Sequence, residues 1–419
     1  MRLAKLNPPL NPWPMVVADL RALRWTATLM ILLIALGLAL GLMAAIGERA
    51  LRASAARATD DFDLIIAAPG SQTQIVLTAV YLQLEALPLL PADVLPKLQA
   101  DPRVEHVAPI AYGDVFRGYP VIGTTASFVT RFGRVPLAEG RVFANDEEAV
   151  IGADVQLPLG ARITPSHAAG PLAKPGVETA AERDHRHAGQ GQIVVGRSAR
   201  HGSPWDRAIL IPLETVWAVH GLGTGHTSER DPIGPPWLAG AVPRVPLVVV
   251  KPRTIANAYS LRGQWRQEGT TALFPAEVLV SLYRTIGDVR RLVSALSLAN
   301  QALTLTAIVL ALASVLGLRR QRYAVLRALG APRLYVFLVI WLTLSVLIAA
   351  GVMLGCLLGW LGAALLSGAF ASATGFQIVV SPALSDFTLA GLVLAAGILI
   401  ALPPAWSIFR QPIGPQLRN

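Results

Sequence analysis

The chain has 419 residues, of which 53% are hydrophobic and only 15% are charged, and its mean hydropathy is +0.51. Soluble domains usually carry about 25% charged residues, so this composition indicates a membrane protein. The net charge of +10 does not indicate a nucleic-acid partner, because the central part of the chain shows no basic stripe. The single cysteine, Cys356, excludes an intrachain disulfide and a cysteine-based zinc site.

Four stretches contain no Asp, Glu, Lys or Arg and are long enough to cross a bilayer, which takes about 20 helical residues. They are residues 25–47, 293–318, 334–366 and 387–409. The first stretch exceeds the ~7–15 apolar residues of a signal-peptide core, so we expect it to stay as an anchor. The prediction is an integral membrane protein with four transmembrane helices, one N-terminal and three C-terminal.

Basic residues are unevenly distributed around these stretches. Three segments are strongly basic: together, residues 1–24, 319–333 and 410–419 contain eleven Lys and Arg and one acidic residue, Asp19. The central segment, residues 48–292, is nearly neutral, with 25 basic and 24 acidic residues. The positive-inside rule then predicts that both termini and the 319–333 connector are cytoplasmic. Residues 48–292 are predicted to lie outside.

Just before the first stretch, residues 8–24 predict a short amphipathic helix that Pro14 opens. Val16 and Leu20 would share its apolar face, and Asp19 would lie on the polar face. Such a segment is expected to lie along the cytoplasmic membrane surface.

Residues 48–292 alternate strand-like and helix-like patterns, as in DFDLIIAAPG (61–70) followed by QTQIVLTAVYLQL (72–84). The mixture predicts a large extracytoplasmic α+β domain. Its last helix would start at Pro275 and act as a stalk into the second span. Residues 164–190 and 221–244 are rich in Gly and Pro and predict long exposed loops. The predicted division is therefore 1–47, 48–292 with the stalk, and 293–419.

The connector RRQRYAVLRALGAPR (319–333) is helix-prone and carries five arginines and no acid. Tyr323, Leu326 and Leu329 recur at a spacing of three and would share one helix face. Gly330 is placed to cap this helix and Pro332 to end it. An ordinary cytoplasmic loop that binds anionic lipid would explain the arginines, but it would not explain a capped amphipathic helix.

The motif AVLRALGA (324–331), followed by a Leu- and Gly-rich span, resembles the C-terminal signature of the FtsX/MacB-like (LolC/MacB-type) permeases of ABC transporters. IALGLALG (34–41) is similar to the family's first span. Three segments of the predicted outer domain resemble the family's MacB-like periplasmic core domain. They are PLAEGRVF (136–143), EAVIGADV (148–155) and GSPWDRAILIPLETVWAVHG (202–221). The chain departs from the family at Arg322 and Thr343, where relatives often carry acids.

This resemblance implies that the connector is a coupling helix seated in a groove of a separate cytoplasmic ABC ATPase. It implies a homodimer in the bacterial cell inner membrane, with ATP bound by the partner and no cofactor in this chain. The residues that it assigns to ATPase coupling are Arg320, Tyr323, Leu326, Arg327, Leu329 and Gly330.

The chain carries no ATPase motif of its own. A phosphate-binding loop ends in Gly-Lys-Ser/Thr, and none of the four lysines follows a glycine. No arrangement of Ser, His and Asp resembles a catalytic site, so we expect no enzyme activity from this chain.

Small residues four positions apart are typical of closely packed transmembrane helices. This spacing predicts a helix-packing role for Gly37 and Gly41 in the first span and for Gly351, Gly355 and Gly359 in the third.

Histidines of the two long loops, His167, His185, His187 and His226, offer metal ligands outside the membrane. Their spacing matches no strong zinc motif and Arg186 adds positive charge nearby. The sequence therefore predicts solvated loops and assigns no metal site.

The expected function is that of a permease subunit that converts ATP hydrolysis by its partner into motion of the outer domain. Export or extraction of an amphiphile, such as a drug, peptide, lipid or lipoprotein, is the first expectation. The alternative is a regulatory subunit that transports nothing and transmits force to a periplasmic protein. Fold alone does not choose between them.

Overall fold

The computed structural model describes residues 11–83, 85–167, 176, 191–228, 231–238, 240–267, 269–285, 321–374, 380–403 and 405–406, with scattered positions between 295 and 317. The chain divides into two compact units. A helical unit contains residues 1–50, 288–367 and 380–419, and a sheet unit contains residues 51–287 and 368–379.

The main described helices of the helical unit are α1 (Trp13–Ala22), α2 (Arg24–Thr59), a connector helix at residues 321–328, α9 (Arg333–Thr374) and α10 (Leu384–Ile400). The last residues of α2 and of α9 belong to the sheet unit. Scattered described positions from 295 to 317 and at 402–406 are also helical. α1 begins at Trp13 with Pro14 in its first turn, as predicted.

Within the described residues, two helices are long and apolar enough to cross a membrane. They are α2 and the Arg333–Phe370 part of α9, and α10 is a shorter apolar helix. This finding confirms membrane-type helices on both sides of a sheet-rich domain. The predicted second span lies mostly outside the described residues, so the number of four spans stays a prediction.

The sheet unit is built on one mixed sheet. The strand order is β11–β1–β10–β2–β3–β9–β5–β8–β4, and two further strands pair beside this series, β6 with β8 and β7 with β2. The β3–β9 and β5–β8 pairs are parallel and the others are antiparallel. The strands are β1 (Leu64–Ala67), β2 (Val104–Phe116), β3 (Tyr119–Thr124), β4 (Leu137–Gly140), β5 (Glu148–Ile151), β6 (Arg162–Ile163), β7 (Ser166–His167), β8 (Gln192–Ser198), β9 (Ile209–Pro212), β10 (Leu247–Pro252) and β11 (Thr271–Leu273).

Helices cover both faces of the sheet, so its central strands are buried on both sides. In β1, Leu64 and Ile66 enter one core cluster, whereas Ile65 and Ala67 enter the other. The helices of this unit are α3 (Gln72–Tyr81), α4 (Val94–Ala100), α5 (Ala126–Val129), α6 (Leu213–Val219), α7 (Ile255–Gln264) and α8 (Pro275–Thr285). The predicted α+β class of this region is therefore confirmed.

Two local patterns of this unit differ from the structure. The run YPVIGTTASFV (119–129) predicts a strand throughout, but its residues 126–129 form the short helix α5. The second Gly- and Pro-rich segment, 221–244, is not wholly exposed, because Trp237 is 4% exposed and packs edge-on against Trp217. The Trp237 indole N–H also donates to Glu214 Oε1 at 2.7 Å. Most of the first segment lies outside the described residues.

Candidate functional site

The connector helix ends as its sequence predicted. Gly330 has a φ of +96°, a left-handed conformation that glycine adopts without strain. The Ala331 N–H donates to Leu326 O and the Gly330 N–H donates to Arg327 O, both at 3.1 Å. These two bonds define a Schellman cap. The connector helix is therefore short and ends before Pro332, and α9 begins at Arg333.

Burial divides the connector helix into two faces. Tyr323 and Ala324 are 3% and 1% exposed, whereas Val325 and Leu329 are 46% and 81% exposed. Leu326 is half-buried. The exposed apolar surface formed by Val325, Leu326 and Leu329 is called the connector knob below.

The structure corrects the predicted role of Tyr323. This residue was expected to face a partner protein, but its ring belongs to the core of the helical unit. Its hydroxyl lies 3.0 Å from Asp19 Oδ2, and both side chains are buried. Of the other residues predicted for coupling, Arg327 is half-buried, and Arg320 lies outside the described residues.

Asp19 was predicted to lie on the polar, exposed face of α1, but the structure places it in the interior. It is 2% exposed, and it lies on α1 beside the fully buried Val16. A buried carboxylate is costly unless it accepts hydrogen bonds, and the Tyr323 hydroxyl supplies one. Hydrogen bonds to charged groups contribute about 1.5–3 kcal/mol. α1 therefore holds the inner side of the connector helix in place, which the sequence pattern did not show.

The glycines of α9 lie against α2. A Cβ added at Gly351 would lie 2.8 Å from Ile34 Cβ, one at Gly355 would lie 2.9 Å from Ala35 O, and one at Gly359 would lie 2.9 Å from Leu42 Cβ. The absence of side chains at these three positions lets the backbones of α2 and α9 approach closely.

The contacts of the α2 glycines differ from those of the α9 glycines. The Asn300 side-chain amide donates to Gly37 O at 2.8 Å, and Gly41 is buried. Ile34 and Leu42 of α2, which meet glycines of α9, are at most 1% exposed. α2 therefore contacts both α9 and Asn300.

An ion pair that the sequence did not predict links α2 to the start of α10. Arg49 donates to both carboxylate oxygens of Asp386, at 2.7 and 2.8 Å, and also to Ser385 Oγ at 3.2 Å. The Asp386 side chain is 5% exposed and that of Arg49 is 33% exposed. A bidentate pair of this kind fixes the Arg49 region of α2 relative to the first turn of α10.

The sheet unit contains its own buried charges. Arg131 lies between the rings of Phe128 and Trp205, with its guanidinium carbon 4.3 and 4.5 Å from the ring centroids. Its Nε is 3.4 Å from Asp61 Oδ2, and His201 Nε2 is 3.0 Å from the same oxygen. Burial lowers the pKa of Arg131 to about 10, and the Asp61 carboxylate raises the pKa of His201.

These features define a class: an α-helical membrane protein whose two long apolar helices flank a large mixed-sheet domain. Its sequence is consistent with an FtsX/MacB-like permease, because residues 295–413 match the model of the FtsX-like permease C-terminal domain. The match confirms the resemblance for residues 295–413. A comparison with curated proteins finds no match.

The matched region includes the connector helix, α9 and α10. An FtsX-like permease domain suggests a permease-type subunit of an ABC transporter, a membrane subunit that normally lacks an ATPase motif. The family also implies an ABC ATPase partner in general. Together with the apolar helices, the match suggests a membrane protein.

Proposed function

We propose that this chain is the permease subunit of an ABC transporter in a bacterial inner membrane and works as a homodimer with a separate cytoplasmic ATPase. The observation that carries the proposal is the connector knob. Leu329, at 81% exposure, stands at the end of a capped helix whose opposite side is fixed by Tyr323 and Asp19. An exposed apolar surface on a rigid element is suited to seat in a protein groove.

In the proposed mechanism, the ATPase moves the connector helix, and this motion reaches the outer domain through the packed helices. Between Arg24 and Glu48, α2 carries no charged residue, and α9 carries none after Arg333. The glycine contacts fill the space between these helices. Uncharged, closely packed spans are better suited to transmit motion than to form a polar pore.

For the extracytoplasmic domain, the proposed function is export or extraction of an amphiphile. The sheet unit has a cleft of about 640 Å³ whose lining combines apolar side chains with charged side chains of both signs. Ile255 and Tyr259 line it and are 79% and 53% exposed. Two ion pairs, Arg134 with Asp63 and Lys251 with Glu105, border it. A lining that is apolar and carries both charges suits a zwitterionic amphiphile. A regulatory subunit acting on a periplasmic protein is the alternative.

The test of ATPase coupling is co-purification of the partner with a Leu329→Asp variant. A carboxylate at the centre of an apolar contact should reduce recovery of the ATPase at least 10-fold while membrane insertion is unchanged. Gln321→Asp places the same charge at an exposed position of the same helix and should leave recovery unchanged. Tyr323→Phe alters the buried side only and should also retain the partner. Full recovery with Leu329→Asp would refute the coupling role.

Export or extraction of an amphiphile is tested separately, in proteoliposomes that contain the permease and its ATPase. Amphiphiles should stimulate ATP hydrolysis, and Tyr259→Asp in the cleft should reduce that stimulation without changing basal hydrolysis. Stimulation by a periplasmic protein, with no response to any amphiphile, would favour the regulatory alternative.

A further inference from the structure

Three residues from distant parts of the chain meet on the sheet unit. Asp114 lies in β2, His167 is its direct cross-strand partner in β7, and His220 follows the last turn of α6. One ligand atom from each residue can be chosen so that all three lie within 4.8 Å of one another. The sequence grouped His167 with other loop histidines and gave no role to Asp114 or His220.

The exposure of the three side chains suits an accessible binding site. Asp114 has a side chain 4% exposed, whereas that of His167 is 50% exposed and His220 is exposed. A buried carboxylate between two surface imidazoles places negative charge at the base of a site that remains open to solvent. This arrangement would draw in a cation and leave room for it to enter.

The orientation of the two imidazoles also favours metal binding. His220 Nδ1 lies 2.8 Å from Val216 O, and as the donor of that hydrogen bond it would present Nε2 as the ligand atom. Histidines that bind metals almost always anchor their other ring nitrogen to a carbonyl or a carboxylate in this way. His167 Nδ1 lies 3.1 Å from Asp114 Oδ1, which is close to the separation of two ligand atoms on one ion.

The distances are compatible with a metal after a small adjustment. Ligands about 2.0–2.2 Å from a tetrahedral ion are roughly 3.4 Å apart. The two rings have centroids 5.4 Å apart and are inclined at 51°, so their nitrogens can converge without stacking. The site requires the two exposed imidazoles to rotate so that the three ligand atoms move closer together.

We infer that Asp114, His167 and His220 form a binding site for a divalent transition-metal ion such as Zn²⁺. Two imidazoles and one carboxylate suit zinc and its neighbours better than Mg²⁺ or Ca²⁺, which prefer all-oxygen sites. Three protein ligands leave one position for water or another donor, as in exchangeable sites rather than closed structural ones. Metal bound here would join the ends of β7 and α6 to β2.

Calorimetry of the full-length protein in detergent tests this site, with Zn²⁺ as the probe and Mg²⁺ as the comparison ion. We expect one Zn²⁺ per chain and no binding of Mg²⁺. His220→Ala and Asp114→Asn should each weaken Zn²⁺ binding at least 10-fold. His106→Ala is the matched control, because His106 is also partly exposed and lies 3.8 Å from a carboxylate oxygen, of Glu105. It should bind as the wild type does.

Other outcomes overturn the inference. No Zn²⁺ binding by the wild type would show that the cluster is only a hydrogen-bonded ion pair. Equal binding by His220→Ala, Asp114→Asn and the wild type would place the metal elsewhere. If removal of His185 and His187 abolished binding while the cluster variants retained it, the loop would be the site. A circular-dichroism spectrum for each variant shows whether it is folded, and the exposed His220→Ala change keeps the test valid if Asp114→Asn unfolds.

Discussion

The helical unit and the sheet unit bury charge in different ways. In the helical unit, the buried carboxylates of Asp19 and Asp386 lie near helix ends, and the middle of α2 and α9 is apolar and packed through glycines. In the sheet unit, Arg131 and Asp61 lie inside the domain, beside the aromatic side chains of Phe128 and Trp205. The first arrangement depends on close contact between backbones, and the second depends on directional polar contacts.

This difference suggests a division of mechanical roles. Helix surfaces that meet through small side chains have few directional bonds and can shift against each other at low cost, within limits set by their end contacts. A core that contains a network of charged groups has one well-satisfied geometry and resists rearrangement. Under the proposed mechanism, the helical unit would change shape and the sheet unit would move as a body.

The largest expected effect comes from breaking the glycine contact. Gly355→Leu would place its Cβ 2.9 Å from Ala35 O and 3.0 Å from Leu38 Cβ, with further atoms beyond. Overpacking typically costs about 1–3 kcal/mol and occasionally more, and here it opposes a backbone that has no room to yield. The yield of monodisperse protein, measured by size-exclusion chromatography, should fall severalfold.

Gly391→Leu is the control for that change. Gly391 lies in the apolar helix α10, and a Cβ there would meet no heavy atom within 4 Å. This variant should behave as the wild type. Comparable losses from both substitutions would mean that the glycine contact between α2 and α9 is unimportant.

An intermediate effect is expected from the ion pair between Arg49 and Asp386. Arg49→Ala would leave a 5% exposed carboxylate without its bidentate partner. Loss of one member of a fully buried pair costs about 3–5 kcal/mol, and the 33% exposure of Arg49 reduces this to ~2 kcal/mol. Thermal unfolding followed by intrinsic fluorescence should show the lower stability.

A double variant sharpens this result. Arg49→Ala combined with Asp386→Ala removes both charges, so it should be more stable than Arg49→Ala alone. Arg52→Ala, which removes an exposed arginine three residues later on α2, should have little effect. Strict additivity of the two single changes would argue against a direct interaction in the membrane-embedded protein.

The smallest effect should be a pH dependence in the sheet unit. Asp61 raises the pKa of His201 in the folded state. The contact therefore contributes its full stabilisation to the folded state when the pH is below the pKa of the histidine in the unfolded chain. The contribution is lost as the pH rises through the raised folded pKa. A contact worth about 1 kcal/mol corresponds to a change in Tm of ~2–4 °C for a domain of this size.

His201→Gln tests that pH dependence by removing the titration. Compared with the wild type, the variant should lose less stability between mildly acidic and alkaline pH. His106→Gln, at a histidine that stacks on Phe132 and lies near Glu105 rather than Asp61, is the control for the loss of an imidazole. If His201→Gln showed the wild-type slope, the contact with Asp61 would not be the source.

The sequence predicted the features that depend on local patterns. The apolar runs indicated α2 and α9, the strand-like run 61–70 indicated β1, and Gly330 followed by Pro332 indicated the end of the connector helix. Each depends on residues close together in the chain, where spacing and backbone preference decide the outcome.

Features that depend on residues far apart were missed. Asp19 and Tyr323 are 304 positions apart, and Arg49 and Asp386 are 337 apart. Asp19 occupies a polar position in the helical pattern of α1, and nothing local shows that a tyrosine will approach it. His220 was overlooked for the same reason, because only the fold brings α6 next to β7.

The contact between Tyr323 and Asp19 has a practical consequence for anyone who trims or tags this protein. The short opening helix looks dispensable, yet it holds a segment more than 300 residues downstream. A shortened version that starts at Arg24 would leave the Tyr323 hydroxyl and the site of Val16 uncovered. A bulky N-terminal fusion that displaced this helix would disturb the connector knob, the surface proposed to bind the ATPase, even though the fusion lies far from it in sequence.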